Sequence, residues 1–216
     1  MEIAILLYQG LTVLDAVGPY EVLGQLPKAN IKFVAAQKGV VKSDGALSLV
    51  ADYDLTKVTA PQIVVVPGGF GTAAAMQNRQ ILEWLQTVSK TALFTTSVCT
   101  GSLILAAAGL LNGLKATSHW RRLEDLKQFG AEPTAERIVE QNKIITSAGV
   151  SSGIDMALRL VQILAGDAAA QAVQLGIEYD PAPPFQTGSP NSAPEELIKF
   201  VTANFEARAK AFAAKS

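Results

Sequence analysis

The chain has 216 residues, 49% of them apolar and only 17% charged, against about 25% charged in an average domain. That balance excludes a disordered segment or a coiled coil and supplies one substantial core without disulfides or metal. Eighteen basic residues against nineteen acidic leave a net charge of −1, which excludes the basic footprint of a nucleic-acid binder.

In chain order, the apolar run at residues 2–8 predicts a buried strand, and residues 12–26 predict a helix stopping at Pro27. Residues 31–36 form a second strand, and the Ser43-Asp44-Gly45 turn within 40–52 predicts a hairpin. The β-branched run Ile63-Val64-Val65-Val66 is the clearest strand and leads directly into Pro67-Gly68-Gly69. A helix over 80–90 follows, then a buried strand over 91–98 that enters a helix running to Ala108. Strands over 114–118 and 137–145, the latter carrying a Gln141-Asn142 turn, precede helices over 152–164 and 167–179. Residues 180–194 hold five of the ten prolines and predict a surface loop before an amphipathic helix over 195–213. Strands alternating with helices, each strand apolar on both faces, predict a mostly parallel central sheet covered on two sides. The fold class is an α/β three-layer sandwich, one domain over 1–216. No run reaches the length of a membrane span, and the first residues carry no basic leader, so an intracellular, cytoplasmic setting is expected.

Ligands of open parallel sheets bind beyond the carboxyl ends of the strands. The segments leaving strands there are 10–15, 67–72 and 99–102. The third carries Cys99, the sole cysteine, at a junction where a strand meets a helix with no intervening loop. Small residues stand two before and two after it, Ser97 and Gly101, as a nucleophile elbow requires. A free cysteine is otherwise a small buried hydrophobe; the tight turn favours the nucleophile. Its place at a helix N-terminus predicts a lowered thiol pKa. Asp15, in an otherwise apolar stretch, either caps the following helix or is buried and tuned as a general acid or base. Glu21 is a weaker candidate of the same kind.

Gly69-Phe70-Gly71-Thr72-Ala73-Ala74 matches a dinucleotide-binding fingerprint, but no acidic residue follows at ribose-binding spacing, so it reads as a glycine-rich turn. The backbone N–H of Gly68 or Gly69, with that of Thr100, is expected to form an oxyanion-type pocket facing Cys99. His119, the sole histidine, reads as a structural or loop residue rather than the base for the thiol. Asp155 reads as a residue that orients a neighbour. One cysteine and one histidine leave no metal-ligand spacing, so no metal is expected.

Taken together, Asp15-x-x-Gly18-Pro19-x-Glu21, Val66-Pro67-Gly68-Gly69, Ser97-Val98-Cys99-Thr100-Gly101, Thr117-Ser118-His119-Trp120 and Ala148-Gly149-Val150 through Asp155 resemble the ThiJ/PfpI family. The resemblance implies a flavodoxin-like, class I glutamine-amidotransferase-like fold, a homodimer, and a reactive cysteine with an acid from near the first strand beside it. Thr100 stands where many relatives place a histidine, which points away from protease or amidase activity. The Asp15, Cys99 and Thr100 combination with His119-Trp120 is similar to the isonitrile-hydrating branch. This implies addition of water to a small-molecule isonitrile, without a cofactor, with Cys99 as nucleophile and Asp15 as acid–base group. The alternatives are a ligand-sensing domain of the kind found in AraC-type regulators, here expected to lack the helix-turn-helix, and a glyoxalase-like or redox-sensing protein.

Overall fold

From the N-terminus, β1 (Glu2–Leu6) leads to α1 (Val13–Leu23) and β2 (Asn30–Ala35). A hairpin of β3 (Gly39–Lys42) and β4 (Ser48–Ala51) follows, then the two-residue β5 (Tyr53–Asp54). Next come β6 (Ile63–Val66), the single turn α2 (Thr72–Ala75), α3 (Arg79–Thr91), β7 (Phe94–Val98) and α4 (Gly101–Ala107). The short strands β8 (Lys115–Ala116) and β9 (Glu132–Pro133) pair with each other, and β10 (Ile138–Gln141) and β11 (Ile144–Ser147) form a hairpin. The helices α5 (Ser152–Ala165), α6 (Asp167–Gly176) and α7 (Glu195–Ala213) end the chain. The structure is a computed structural model describing residues 1–214. It divides into one compact unit over Met1–Ile177 and a second beginning at Glu178.

Seven strands of the first unit form one sheet in the order β10-β11-β7-β6-β1-β2-β5. Every neighbouring pair is parallel except β10 with β11. Strands with helices on both faces have no polar side, and β6 illustrates this: all four of its residues are buried. Helices α1 and α5 pack together over one face, and α3 and α4 over the other. The core runs through β1, β6 and the apolar side of α4, where Leu103, Ile104 and Leu105 are fully enclosed. Placing β1, β6 and β7 side by side in parallel brings the loops after them to one edge. Asp15, Gly68 and Cys99 come from those three loops or the helix starts that follow them.

The strand expected over 114–118 is reduced to Lys115–Ala116. Beyond it Thr117 N–H donates to the Thr146 hydroxyl and Ser118 turns its hydroxyl toward the Cys99 carbonyl, so the chain leaves strand geometry to serve the elbow. Residues 137–145 resolve into β10 and β11 with Asn142 at φ +56° in the turn. Helix α1 is shorter than expected at both ends. Thr12 lies at its N-cap in extended conformation with its hydroxyl on Asp44, in the turn of the β3–β4 hairpin. After Gly24 the N–H groups of Gln25 and Leu26 close tighter turns onto Val22 and Leu23.

The second unit, described on its own, contains the proline-rich loop and α7. Pro194 precedes the first helical turn, Glu195 and Glu196 lie within it, and Glu195 pairs with Lys199 at 2.6 Å. Acidic residues at an N-terminus and this i,i+4 pair are the local features that favour the helix.

Candidate active site

Cys99 follows β7 with φ +58°, in the left-handed region that non-glycine residues rarely enter. Its backbone is held from both ends. The Cys99 N–H donates to the carbonyls of Ser147 (3.1 Å) and Ala148 (2.9 Å), and its own carbonyl accepts the hydroxyls of Ser102 and Ser118, each at 3.2 Å. A strained peptide persists where its surroundings over-determine it. Gly101 completes the turn, since a Cβ there would lie 2.0 Å from the Val66 carbonyl oxygen. The elbow expected from Ser97 and Gly101 is therefore present, and Gly101 accounts for its tightness.

Asp15 is fully buried on α1. It does not cap that helix: its Oδ2 accepts the Gly68 N–H at 2.9 Å, across the sheet edge. Oδ1 is buried with no N–H or O–H donor, and the side chain that interacts with the carboxylate is the Cys99 thiol. Burial dominates and pushes the Asp15 pKa up to about 8, against the opposing pull of Gly68 N–H and Cys99; the Asp44 charge adds to the rise. Asp15 is consequently protonated at neutral pH.

The expected lowering of the Cys99 pKa is reversed. Burial, and after it the Asp15 charge, push the thiol well above its ordinary range. The backbone N–H groups of Thr100 and Val150 and the Thr100 hydroxyl favour the thiolate but do not outweigh burial. Helix α4 is only seven residues long, so its dipole is small, while Cys99 is 5% exposed.

The two glycine amides bind the side chains flanking the sulfur. Gly68 N–H holds Asp15, and Gly69 N–H donates to Thr100 Oγ1 at 3.0 Å. Among the described residues, the backbone donors stabilising the sulfur are Thr100 and Val150. Gly68 must lack a Cβ, which would meet Thr100 N at 2.5 Å. The Gly69-Phe70-Gly71 string works as a turn: Gly71 N–H donates to the Gly10 carbonyl, and a Cβ on Gly71 would sit 1.8 Å from the Gln9 oxygen.

His119 is buried against Gly149, with its Nδ1 accepting the Arg121 N–H at 3.3 Å and its ring stacked on Trp120. Burial, then the Arg121 charge, depress its pKa to about 4, so the imidazole is neutral at pH 7. Asp155 pairs with Arg137 (Nε to Oδ2 2.6 Å) and Glu21 is exposed on α1. Neither joins the Asp15–Cys99 pair. Three contributors escaped the sequence reading. Val150 acts through its backbone, which any residue supplies. Tyr8 and Thr72 join Thr100 in a chain of hydroxyls, buried at Tyr8 and Thr72 and half-buried at Thr100 (Thr72 Oγ1 to Thr100 Oγ1 2.8 Å, to Tyr8 Oη 3.2 Å).

No three His, Cys, Asp or Glu side chains gather to hold a metal among the described residues, and no described helix is long and apolar enough to cross a membrane.

A parallel sheet carrying a strained cysteine at an elbow, with a protonated carboxyl from the first helix against its thiol, defines a cysteine-elbow α/β protein. The DJ-1/PfpI family model matches residues 1–163, and the chain belongs to that family. It is 40% identical over 198 residues to the isonitrile hydratase of Pseudomonas putida, covering 92% of this chain and 87% of that one. A crystal structure of a ThiJ/PfpI family protein from Pseudomonas syringae superposes with a TM-score of 0.91 at 41% identity, over 98% of this chain and 90% of that chain. An HTH-type transcriptional regulator of Pseudomonas aeruginosa is 28% identical over 130 residues, 59% of this chain but only 38% of the regulator.

Proposed function

We propose that the protein hydrates an isonitrile to the corresponding N-substituted formamide by covalent catalysis at Cys99. The observation that carries this reading is Asp15, a carboxyl kept protonated by burial and set against the thiol. The terminal carbon of an isonitrile must accept both a nucleophile and a proton, and a thiol beside a protonated acid supplies both.

In the first step the Cys99 sulfur bonds to that carbon while Asp15 delivers its proton to the same carbon and takes up the thiol proton. The product is a thioimidate on Cys99. Water then adds to its carbon, Asp15 accepting one water proton and returning a proton to nitrogen. The tetrahedral adduct collapses by breaking the C–S bond as its hydroxyl proton passes to sulfur, giving the formamide and the free thiol. The net change is one water added across one carbon, with no redox step and no cofactor required. The N–H groups of Thr100 and Val150 stabilise sulfur as it gains negative charge, and Gly68 N–H holds Asp15 in place. The 40% identity to an isonitrile hydratase over most of both chains supports the same reading. On this reading the enzyme works as a cytoplasmic homodimer, its subunits joined by an apolar interface.

The test is direct. Purified protein is mixed with a simple alkyl isonitrile, and isonitrile loss and formamide appearance are followed together by NMR. Equal rates of loss and appearance are expected, with an adduct on Cys99 by mass spectrometry. Absence of turnover, or methylglyoxal consumption in its place, overturns the proposal in favour of a sensing or glyoxalase-like role.

A further inference from the structure

Behind the elbow, the buried hydroxyls of Tyr8 and Thr72 and the half-buried hydroxyl of Thr100 form a chain that more than one pattern of donation satisfies. Tyr8 is 7% and Thr72 4% exposed. The Tyr8 phenol donates to the Pro67 carbonyl at 2.8 Å, which leaves its oxygen only as an acceptor for Thr72. Thr100 Oγ1 accepts the Gly69 N–H at 3.0 Å and lies 2.8 Å from Thr72 Oγ1, within reach of the Cys99 sulfur. Thr72 in turn lies 2.8 Å from the Gly69 carbonyl.

Each hydroxyl owns one proton and two lone pairs. Thr72 can also donate to Tyr8 Oη, and Thr100 Oγ1 also lies 3.5 Å from the Gly69 carbonyl. Among the arrangements these contacts permit, two differ in what they leave for the sulfur. In the first, Thr72 donates to the Gly69 carbonyl and accepts the Thr100 proton; the sulfur receives nothing from Thr100. In the second, Thr72 donates to Thr100. The Thr100 oxygen then holds the Gly69 N–H and the Thr72 proton on its lone pairs, and its own proton is left to the sulfur.

We propose that Thr72 is a positioning residue for the reaction: its hydroxyl rotates between the Gly69 carbonyl and Thr100 Oγ1 and so switches the Thr100 proton away from or onto the Cys99 sulfur. The first arrangement accompanies the neutral thiol, which needs no donor. The second accompanies sulfur carrying negative charge, during addition and again when the C–S bond breaks. No bond other than hydrogen bonds changes, and no proton leaves its oxygen. The switch rests on the proposed isonitrile chemistry for its use in turnover, but its effect on sulfur does not.

The experiment reads that effect without an isonitrile. The rate of Cys99 alkylation by iodoacetamide is measured against pH for wild type, Thr72→Val and Thr72→Ser, alongside kcat and KM for isonitrile turnover. Valine keeps the shape but cannot turn Thr100. Loss of one hydrogen bond to a charged atom predicts alkylation roughly tenfold slower than wild type at each pH below the thiol's own titration, and kcat lowered about tenfold, with KM unchanged. Serine restores both. If the valine variant does not fold, Thr72→Ala takes its place in the comparison. An alkylation profile of the valine or alanine variant that superposes on wild type overturns the proposal, as does failure of a folded serine variant to restore it. Slowed alkylation of the valine variant, in a protein that never consumes isonitrile, sinks the functional reading and leaves the switch standing.

Discussion

At the scale of single residues, the proposed mechanism divides the site into groups that exchange protons and groups that hold them. Cys99→Ala or Cys99→Ser should abolish turnover and the mass-spectrometric adduct while leaving the circular dichroism spectrum intact; substantial activity in either would refute covalent catalysis. Asp15→Asn keeps the shape and can accept the Gly68 N–H, but has no exchangeable acid proton. General acid–base groups contribute about 10²–10⁴-fold, so its rate should fall at least a hundredfold, with His119→Ala far milder. The pH–rate profile carries the same distinction. On the proposed mechanism turnover needs protonated Asp15, so kcat should decline as pH rises through about 8, with no limb near 6.5, because His119 is already neutral above about 4. A limb near 6.5 that His119→Ala removes would move the acid–base role to histidine. The sequence made Cys99 and Asp15 legible because each breaks a pattern: a lone cysteine at a loopless junction and a lone carboxylate in an apolar stretch. The direction of the Cys99 shift was not legible, since burial depends on what packs over the sulfur. Val150 was hidden because backbone donors have no sequence signature.

At the scale of elements, the strand–helix alternation was readable because strands buried on both faces are uniformly apolar, as in β6. The two-residue strands β5 and β9 were not, because pairing so short leaves no periodicity. The glycines of the site edge were readable as turns, but their reasons differ and make a measurable ordering. In Gly101→Ala the new methyl would meet a backbone oxygen of the central sheet at 2.0 Å, and neither β6 nor α4 can retreat without moving Cys99. A loss of about 3 kcal/mol or more in urea unfolding, with loss of turnover, is expected. Gly109→Ala, at φ +78° with nothing within 4 Å, should lose only the left-handed strain, about 1–2 kcal/mol, and keep its activity. Equal losses in the two variants would show that the tight contact between β6 and α4 is not what shapes the elbow.

At the scale of the molecule, the unit over Met1–Ile177 holds the whole sheet and every group of the site, and two of its buried titratable side chains, Asp15 and His119, give it an unusual pH response between 4 and 8. Asp15 has a folded pKa near 8 against 3.8 in an ordinary carboxyl. Between those values the folded state keeps a proton that the unfolded state has lost, so stability falls with rising pH by about 1.4 kcal/mol per unit. His119 runs the other way. Its folded pKa near 4 lies below the ordinary 6.5, so in that window the unfolded state holds the extra proton and stability rises with pH. The slopes oppose each other from about pH 4 to 6.5, and above 6.5 only the Asp15 decline remains until about 8. The wild type should therefore lose roughly 2 kcal/mol between pH 6.5 and 8, on the order of 5 °C in melting temperature. Asp15→Asn should abolish that decline and melt higher than wild type at pH 7. Below 6.5 it should show the uncompensated histidine slope, becoming less stable as pH falls. Because other carboxylates are common to both proteins, the difference between the two melting curves isolates Asp15. A constant difference from pH 5 to 8 would mean that Asp15 is ionised in the folded enzyme, and the protonated acid beside Cys99 would be lost with it.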